Sequence, residues 1–190
     1  MNDLEMTDAE LSELAQRARS GDTAALERLF LTLLPRVRNL VRYLVRGDRD
    51  VDDLSQEALL TLLRGLDTYR GEGEFRAWAD RVVARSVFAT LKRRPDQPTE
   101  IEATMSHEFS EGSASTPPDT YCVRRQLVAH LDTLPDSQRG ALVRHHVLGM
   151  TVPEVSEELG VSQETVRSRL RLGRDRLRRL LDERLGRMVG

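Results

Sequence analysis

Apolar residues recur at helical spacing along most of the chain. After Asp22, the positions Leu26, Leu29, Phe30, Leu33, Val37, Leu40, Val41 and Leu44 fall on one stripe of an amphipathic helix that ends near Gly47. Pro35 lies inside it, where it removes one backbone hydrogen bond and threatens strain. Asp50 can cap a second helix with the stripe Leu54, Ala58, Leu62 and Leu66, and Asp52 and Asp53 occupy its first turn, where the helix dipole favours carboxylates. The loop Asp67-Thr68-Tyr69-Arg70-Gly71-Glu72-Gly73 follows, and its two glycines permit a tight path. A third helix is predicted from about Glu74 to Arg93. Spacing puts Phe75, Trp78, Val82 and Ser86 on one face of it, with Trp78 in the core, and Arg81, Arg85, Phe88 and Lys92 on another.

The carboxy-terminal part carries the sharpest local signal. Thr151-Val152-Pro153-Glu154 is a capping box with proline early in the helix, where its missing N–H is harmless. Val152, Val155 and Leu159 form the stripe of that short helix, Gly160 ends it, and Ser162 caps a new helix with the stripe Val166, Leu170 and Leu177. Arg167, Arg171, Arg174 and Arg178 share one side of this second helix. A short helix, a glycine turn and a basic second helix are the grammar of a helix-turn-helix that seats its second helix in a DNA major groove. Gln163, Glu164, Thr165, Arg167 and Ser168 at its amino end are candidate base readers, and Arg171 and Arg174 candidate phosphate contacts. Leu127, Leu131 and Leu134 before Pro135, then Ala141, Leu142, Val143 and Val147, supply two supporting helices.

Charge divides the chain. Its 190 residues have a net charge of -2, yet all 29 lysines and arginines lie in 1–95 and 123–190. Residues 96–122 hold six acids and no base, together with Pro98, Pro117, Pro118 and a Gly/Ser cluster, which is linker composition. A flexible segment of that length spans roughly 30 Å, enough to place two small domains at separate points on a large partner. The expected architecture is therefore all-α: a helical domain over 1–95, an acidic flexible linker over 96–122 and a helix-turn-helix domain over 123–190. Only 4% aromatic residues argue against sheet cores. The arginine excess as a whole is read as codon composition, so only the positions of individual arginines count.

Several classes are excluded. No apolar run reaches the roughly 20 residues of a membrane helix and the acidic start does not resemble a signal peptide, so a cytoplasmic protein without membrane insertion is expected. The single cysteine, Cys122, forms no internal disulfide or paired-cysteine zinc motif, and adjacent His145 and His146 point to different faces; neither a metal nor a cofactor is expected. No nucleophile, base and orienting acid group together and no glycine-rich phosphate loop precedes a helix, which excludes an enzyme by its residues. The basic face Arg81, Arg85 and Lys92 with Phe88 suits a phosphate backbone with stacked unpaired bases.

The two halves together carry a resemblance. Leu134-Pro135, Gly149-Met150-Thr151-Val152-Pro153-Glu154-Val155, Leu159-Gly160-Val161-Ser162 and Thr165-Val166-Arg167-Ser168-Arg169-Leu170 resemble region 4 of extracytoplasmic-function (ECF) sigma factors. Asp52-Asp53-Leu54-Ser55-Gln56-Glu57-Ala58 is similar to the family's region 2 motif, as are Tyr69-Arg70-Gly71, Phe75 and Trp78 to the stretch after it. The resemblance spans about 25–185. It implies binding to core RNA polymerase through Asp52, Asp53, Gln56 and Glu57, capture of the melted minus-10 strand by Arg70, Glu74, Trp78, Arg81, Arg85 and Lys92, and minus-35 recognition by the second domain. It further implies an anti-sigma factor as partner and a linker that occupies the polymerase's RNA path. The sequence departs from the family at Ala79-Asp80, at Arg85, which stands where asparagine is usual, and at Leu172-Gly173-Arg174, where Gly173 costs roughly 1 kcal/mol relative to alanine. The competing reading is a dimeric regulator that binds an operator through one helix-turn-helix.

Overall fold

The computed structural model describes residues 6–93 and 118–189, with side chains over 6–93 and 125–182. All regular elements among them are helical. Contacts divide the chain into two compact units, Met1–Val41 with Asp48–Pro117 and Arg42–Gly47 with Pro118–Gly190. Most of the segment expected as a linker lies outside the described residues, and helix α5 begins within it, at Pro118.

The first unit contains α1 (Asp8–Arg19), α2 (Thr23–Leu44, whose last three residues are counted with the second unit), α3 (Val51–Arg64), a 3₁₀ turn (Leu66–Thr68) and α4 (Phe75–Arg93). Helix α1 has no counterpart in the sequence analysis. It opens on a reciprocal capping box, with Thr7 Oγ1 accepting from Glu10 N at 3.3 Å and Glu10 Oε2 accepting from Thr7 N at 2.6 Å, and it buries Leu11, Leu14, Ala15 and Ala18. In α2 the buried stripe is Ala25, Leu29, Leu33, Val37, Leu40, Val41 and Leu44, close to the expected one, while Leu26 is exposed. The helix runs on through Pro35. The carbonyl that loses its partner there belongs to Leu31, an exposed residue, so water can take the place of the missing N–H.

In α4 the expected face needs correction. The residues that pack inward are Phe75, Ala79, Val83, Val87 and Thr90, at steps of four and three, whereas Trp78 is half-buried rather than core and Val82 and Ser86 lie beside the stripe. Ala79-Asp80 then has a physical reason. Ala79 is a core position, and Asp80 takes a two-pronged bond from Arg36 of α2, Nε to Oδ1 at 2.9 Å and Nη2 to Oδ2 at 2.6 Å.

The second unit contains α5 (Pro118–Asp132), α6 (Asp136–Leu142) continued by a π-helical turn (Val143–Val147), α7 (Val152–Leu159) and α8 (Gln163–Val189). Its core joins Leu131, Leu134, Ala141, Leu142, Val155, Val166 and Leu170, with Val152, Leu159 and Leu177 packed against it. Arg144, buried in the π turn, bonds Glu158 of α7 at 2.9 Å and the Gly140 carbonyl at 3.1 Å, which ties the supporting helix to the helix-turn-helix. Gly173 is buried where α8 crosses α6: a β-carbon there would sit 2.7 Å from Leu142 Cδ1 and 3.4 Å from Gln138 Cβ. Close helix approach, not tolerance of a poor helix former, accounts for this glycine.

Candidate nucleic-acid and polymerase interfaces

The helix-turn-helix is assembled by local chemistry. Thr151 and Glu154 form a closed capping box, Glu154 Oε2 accepting from Thr151 N at 2.7 Å and Thr151 Oγ1 from Glu154 N at 3.4 Å. Gly160 takes the left-handed conformation (φ 63°) that turns the chain out of α7. Ser162 Oγ then accepts from Thr165 N at 3.1 Å and lies 2.9 Å from the Thr165 hydroxyl, so the cap of α8 holds both side chains. With Val166 and Leu170 fixed in the core, Gln163, Glu164, Arg167, Arg171 and Arg174 stand exposed, and Thr165 and Ser168 are half-buried. Arg167 Nη2 donates to Gln163 Oε1 at 3.3 Å, and its Nη1 lies 3.7 Å from Glu164 Oε2. The first turn of α8 thus presents one braced cluster of polar side chains.

The histidines beside it serve structure. His145 Nδ1 donates to the Met150 carbonyl at 2.7 Å, and the two imidazoles meet edge to face at 4.7 Å. Burial, the neighbouring His145 and then Arg174 hold the His146 pKa below the usual histidine value. Among the described residues, no group of His, Cys, Asp and Glu side chains is arranged to hold a metal ion.

In the first unit the loop before α4 is fixed by an aromatic cluster. Tyr69 is buried, with its ring 5.1 Å from Phe75 at 84° and 5.2 Å from Trp78; Phe75 and Trp78 are 5.4 Å apart. Gly71 and Gly73 both have positive φ, at 77° and 80°, so the chain between Tyr69 and Phe75 follows a path open to glycine. Arg70 and Glu74 are exposed at this loop. Glu74, Trp78, Arg81, Arg85, Phe88 and Lys92 continue along α4 at steps of three and four on the side opposite the buried stripe. Arg81, Arg85 and Lys92 are exposed and Trp78 and Phe88 half-exposed, so the expected minus-10 residues of α4 share one basic, aromatic face, and Arg70 lies in the loop before it.

On α3, Asp52, Asp53, Gln56 and Glu57 are exposed, but their carboxylates are not equivalent. Asp52 pairs with Arg38 at 2.6 Å, and Glu57 Oε1 accepts from Thr90 at 3.0 Å and lies 3.7 Å from Arg93. Leu60, not among the expected residues, is 45% exposed and in helical step with Asp53, Gln56 and Glu57, and it adds an apolar centre to an acidic face. Its seven-residue spacing from Asp53 was the available signal.

Two helical units, one with a capped and basic helix-turn-helix, the other with an arginine and aromatic helix face, place the chain among helix-turn-helix DNA-binding proteins. The chain matches the models of two families, Sigma-70 region 2 over residues 29–95 and Sigma-70, region 4 over residues 124–177. It is 32% identical over 178 residues to the ECF RNA polymerase sigma factor SigM of Mycobacterium tuberculosis (strain ATCC 25618 / H37Rv), covering 93% of this chain and 86% of that one. Against the ECF RNA polymerase sigma-E factor of Escherichia coli (strain K12) it is 30% identical over 168 residues, covering 83% and 86%. Among solved structures its fold is similar to CnrH in complex with the cytosolic domain of CnrY, with TM-score 0.53, 23% identity and coverage of 90% and 97%. It is likewise similar to the sigma factor RpoE in complex with the anti-sigma factor NepR from Bartonella quintana, with TM-score 0.55, 20% identity and coverage of 82% and 96%. The chain belongs to the ECF sigma factors of RNA polymerase. Its function is promoter-directed transcription initiation, and the dimeric operator-binding regulator is not favoured, because relatives of this family account for both units. Among the described residues, no helix is long and apolar enough to cross a membrane.

Proposed function

We propose a residue-level division of labour for this sigma factor. The α3 face of Asp53, Gln56, Glu57 and Leu60, flanked by Asp52, docks on core RNA polymerase. Arg70, Glu74, Trp78, Arg81, Arg85 and Lys92 hold the melted minus-10 strand, the arginines and lysine against phosphates and the half-exposed aromatics against unstacked bases. Gln163, Glu164, Arg167 and Ser168 read minus-35 base edges, with Thr165 serving the cap and Arg171 and Arg174 on phosphates. The observation that carries this reading is that α4 gathers all of its assigned residues on the one side left free by its core stripe.

The protein acts in the cytoplasm as a binding factor with no catalysis of its own. An anti-sigma factor covers its working faces, a reading supported by CnrH and RpoE, similar in fold and solved with the domain of CnrY and with the anti-sigma factor NepR. The test is a holoenzyme built from core polymerase and the Arg81→Ala, Arg85→Ala double variant. Protection of minus-35 should persist while permanganate reactivity of minus-10 thymines falls; full strand opening would refute the assignment.

A further inference from the structure

Helix α1 lies before the segment that matches region 2, and none of its residues is among those assigned to polymerase or DNA. Its side chains nevertheless hold the loop between Tyr69 and Phe75 at both ends. Asp8, in its first turn, accepts from the first two backbone N–H groups of α4: Oδ2 from Phe75 N at 2.8 Å and Oδ1 from Arg76 N at 2.9 Å. Such groups have no partner within their own helix, so this carboxylate is the cap of α4 as well as a favourable charge at the start of α1. One turn on, Ser12 Oγ is 2.8 Å from the Tyr69 hydroxyl, which itself donates to the Gly73 carbonyl at 3.1 Å. Tyr69 has a single hydroxyl proton, given to Gly73, so Ser12 is the donor in its bond with Tyr69. The Arg76 guanidinium returns to the Met6 carbonyl just before α1.

The beginning and the end of the loop are thus tied to one helix, and Tyr69 in turn holds the second glycine, while Arg70, Glu72 and Glu74 are exposed. We propose that α1 is a clamp that sets the shape of the strand-capture loop, with Asp8 and Ser12 as positioning residues for single-stranded DNA that they do not themselves touch. A glycine-containing loop would otherwise sample many conformations, and the entropy of ordering it would be lost at the moment of strand capture. This inference rests on the assignment of Arg70 to the melted strand.

The experiment uses holoenzyme carrying the full chain and a fluorescent single-stranded oligonucleotide with the non-template minus-10 sequence of a promoter that the holoenzyme opens. Asp8→Asn keeps the size of the side chain and lets only one of its two N–H bonds form. That variant and Ser12→Ala should each lower oligonucleotide affinity, Asp8→Asn by about tenfold, with core polymerase affinity unchanged. Ser12→Ala disturbs the fold least and keeps the test valid where Asp8→Asn is poorly folded. The losses of Ser12→Ala and Tyr69→Phe should not add, because both break one chain of hydrogen bonds; additive losses would overturn that link. Wild-type affinity in Asp8→Asn and Ser12→Ala alongside a loss in Arg70→Ala would overturn the clamp and leave the loop assignment standing. An unchanged Arg70→Ala would overturn the loop assignment, and the clamp with it. Equal losses of oligonucleotide and core affinity in Asp8→Asn would reduce α1 to general stabilisation, which also contradicts the proposal.

Discussion

Salt dependence offers a quantitative test of the α8 face. Arg167, Arg171, Arg174 and Arg178 are all exposed along it. Each arginine that neutralises a DNA phosphate contributes about 0.9 to the slope of log affinity against log salt. Arg171, Arg174 and Arg178 as phosphate contacts amount to a slope of about 2.7, or roughly a 40-fold fall in affinity between about 50 and 200 mM salt. Polymerase adds phosphate contacts of its own, so the difference between variants isolates the helix. Replacing Arg174 and Arg178 by alanine should lower the slope by about 1.8 and weaken all sequences alike. Arg167 should behave differently, because Gln163 and Glu164 brace it in the first turn of α8. Arg167→Ala should cost about 1–3 kcal/mol on the cognate site and relax discrimination at one base pair. The assay is fluorescence anisotropy of holoenzyme on a short minus-35 duplex across a salt series, with cognate and scrambled sequences. An unchanged slope in the Arg174→Ala, Arg178→Ala variant, or a sequence-independent loss in Arg167→Ala, would refute the assignment.

Asp53→Arg should abolish core polymerase binding with the melting temperature unchanged, since Asp53 is exposed on α3; titration against labelled core enzyme checks this, and Glu57→Arg is the less clean probe because Glu57 also holds Thr90 and faces Arg93. Thr151→Ala should destabilise the second unit by about 1 kcal/mol through loss of its cap, a drop of roughly 4–8 °C for a domain of this size, read by calorimetry. The lowered His146 pKa means that the folded chain disfavours its protonation, so its contribution to stability is present above about pH 6.5 and falls as the pH drops below that value toward the folded pKa. Proton NMR should find its titration midpoint below that of a free histidine and moved upward in Arg174→Ala.

What was legible in the sequence was local. The Thr151–Glu154 box, the Gly160 turn and the Ser162 cap are each set by residues within three or four positions, and their geometry follows. Helix α1 carries the same kind of signal, Thr7 and Glu10 followed by Leu11, Leu14, Ala15 and Ala18, but it precedes the long stripe that starts after Asp22. In α4 the bulk of Trp78 suggests a hydrophobic face centred on it, whereas the buried stripe runs through the small Ala79. The reasons for Asp80 and Gly173 depend on distant partners. Arg36 explains Asp80 from 44 residues away, and Leu142 explains Gly173 from across the second unit; no spacing rule reaches that far.

The decisive experiment adds the purified protein to core RNA polymerase and maps transcription start sites on a promoter library from its own genome. A tight complex, together with start sites absent from core polymerase alone, is the result expected of this sigma factor. No complex with core polymerase, with the protein binding duplex DNA by itself as a dimer on half-sites about one helical turn apart, would contradict it.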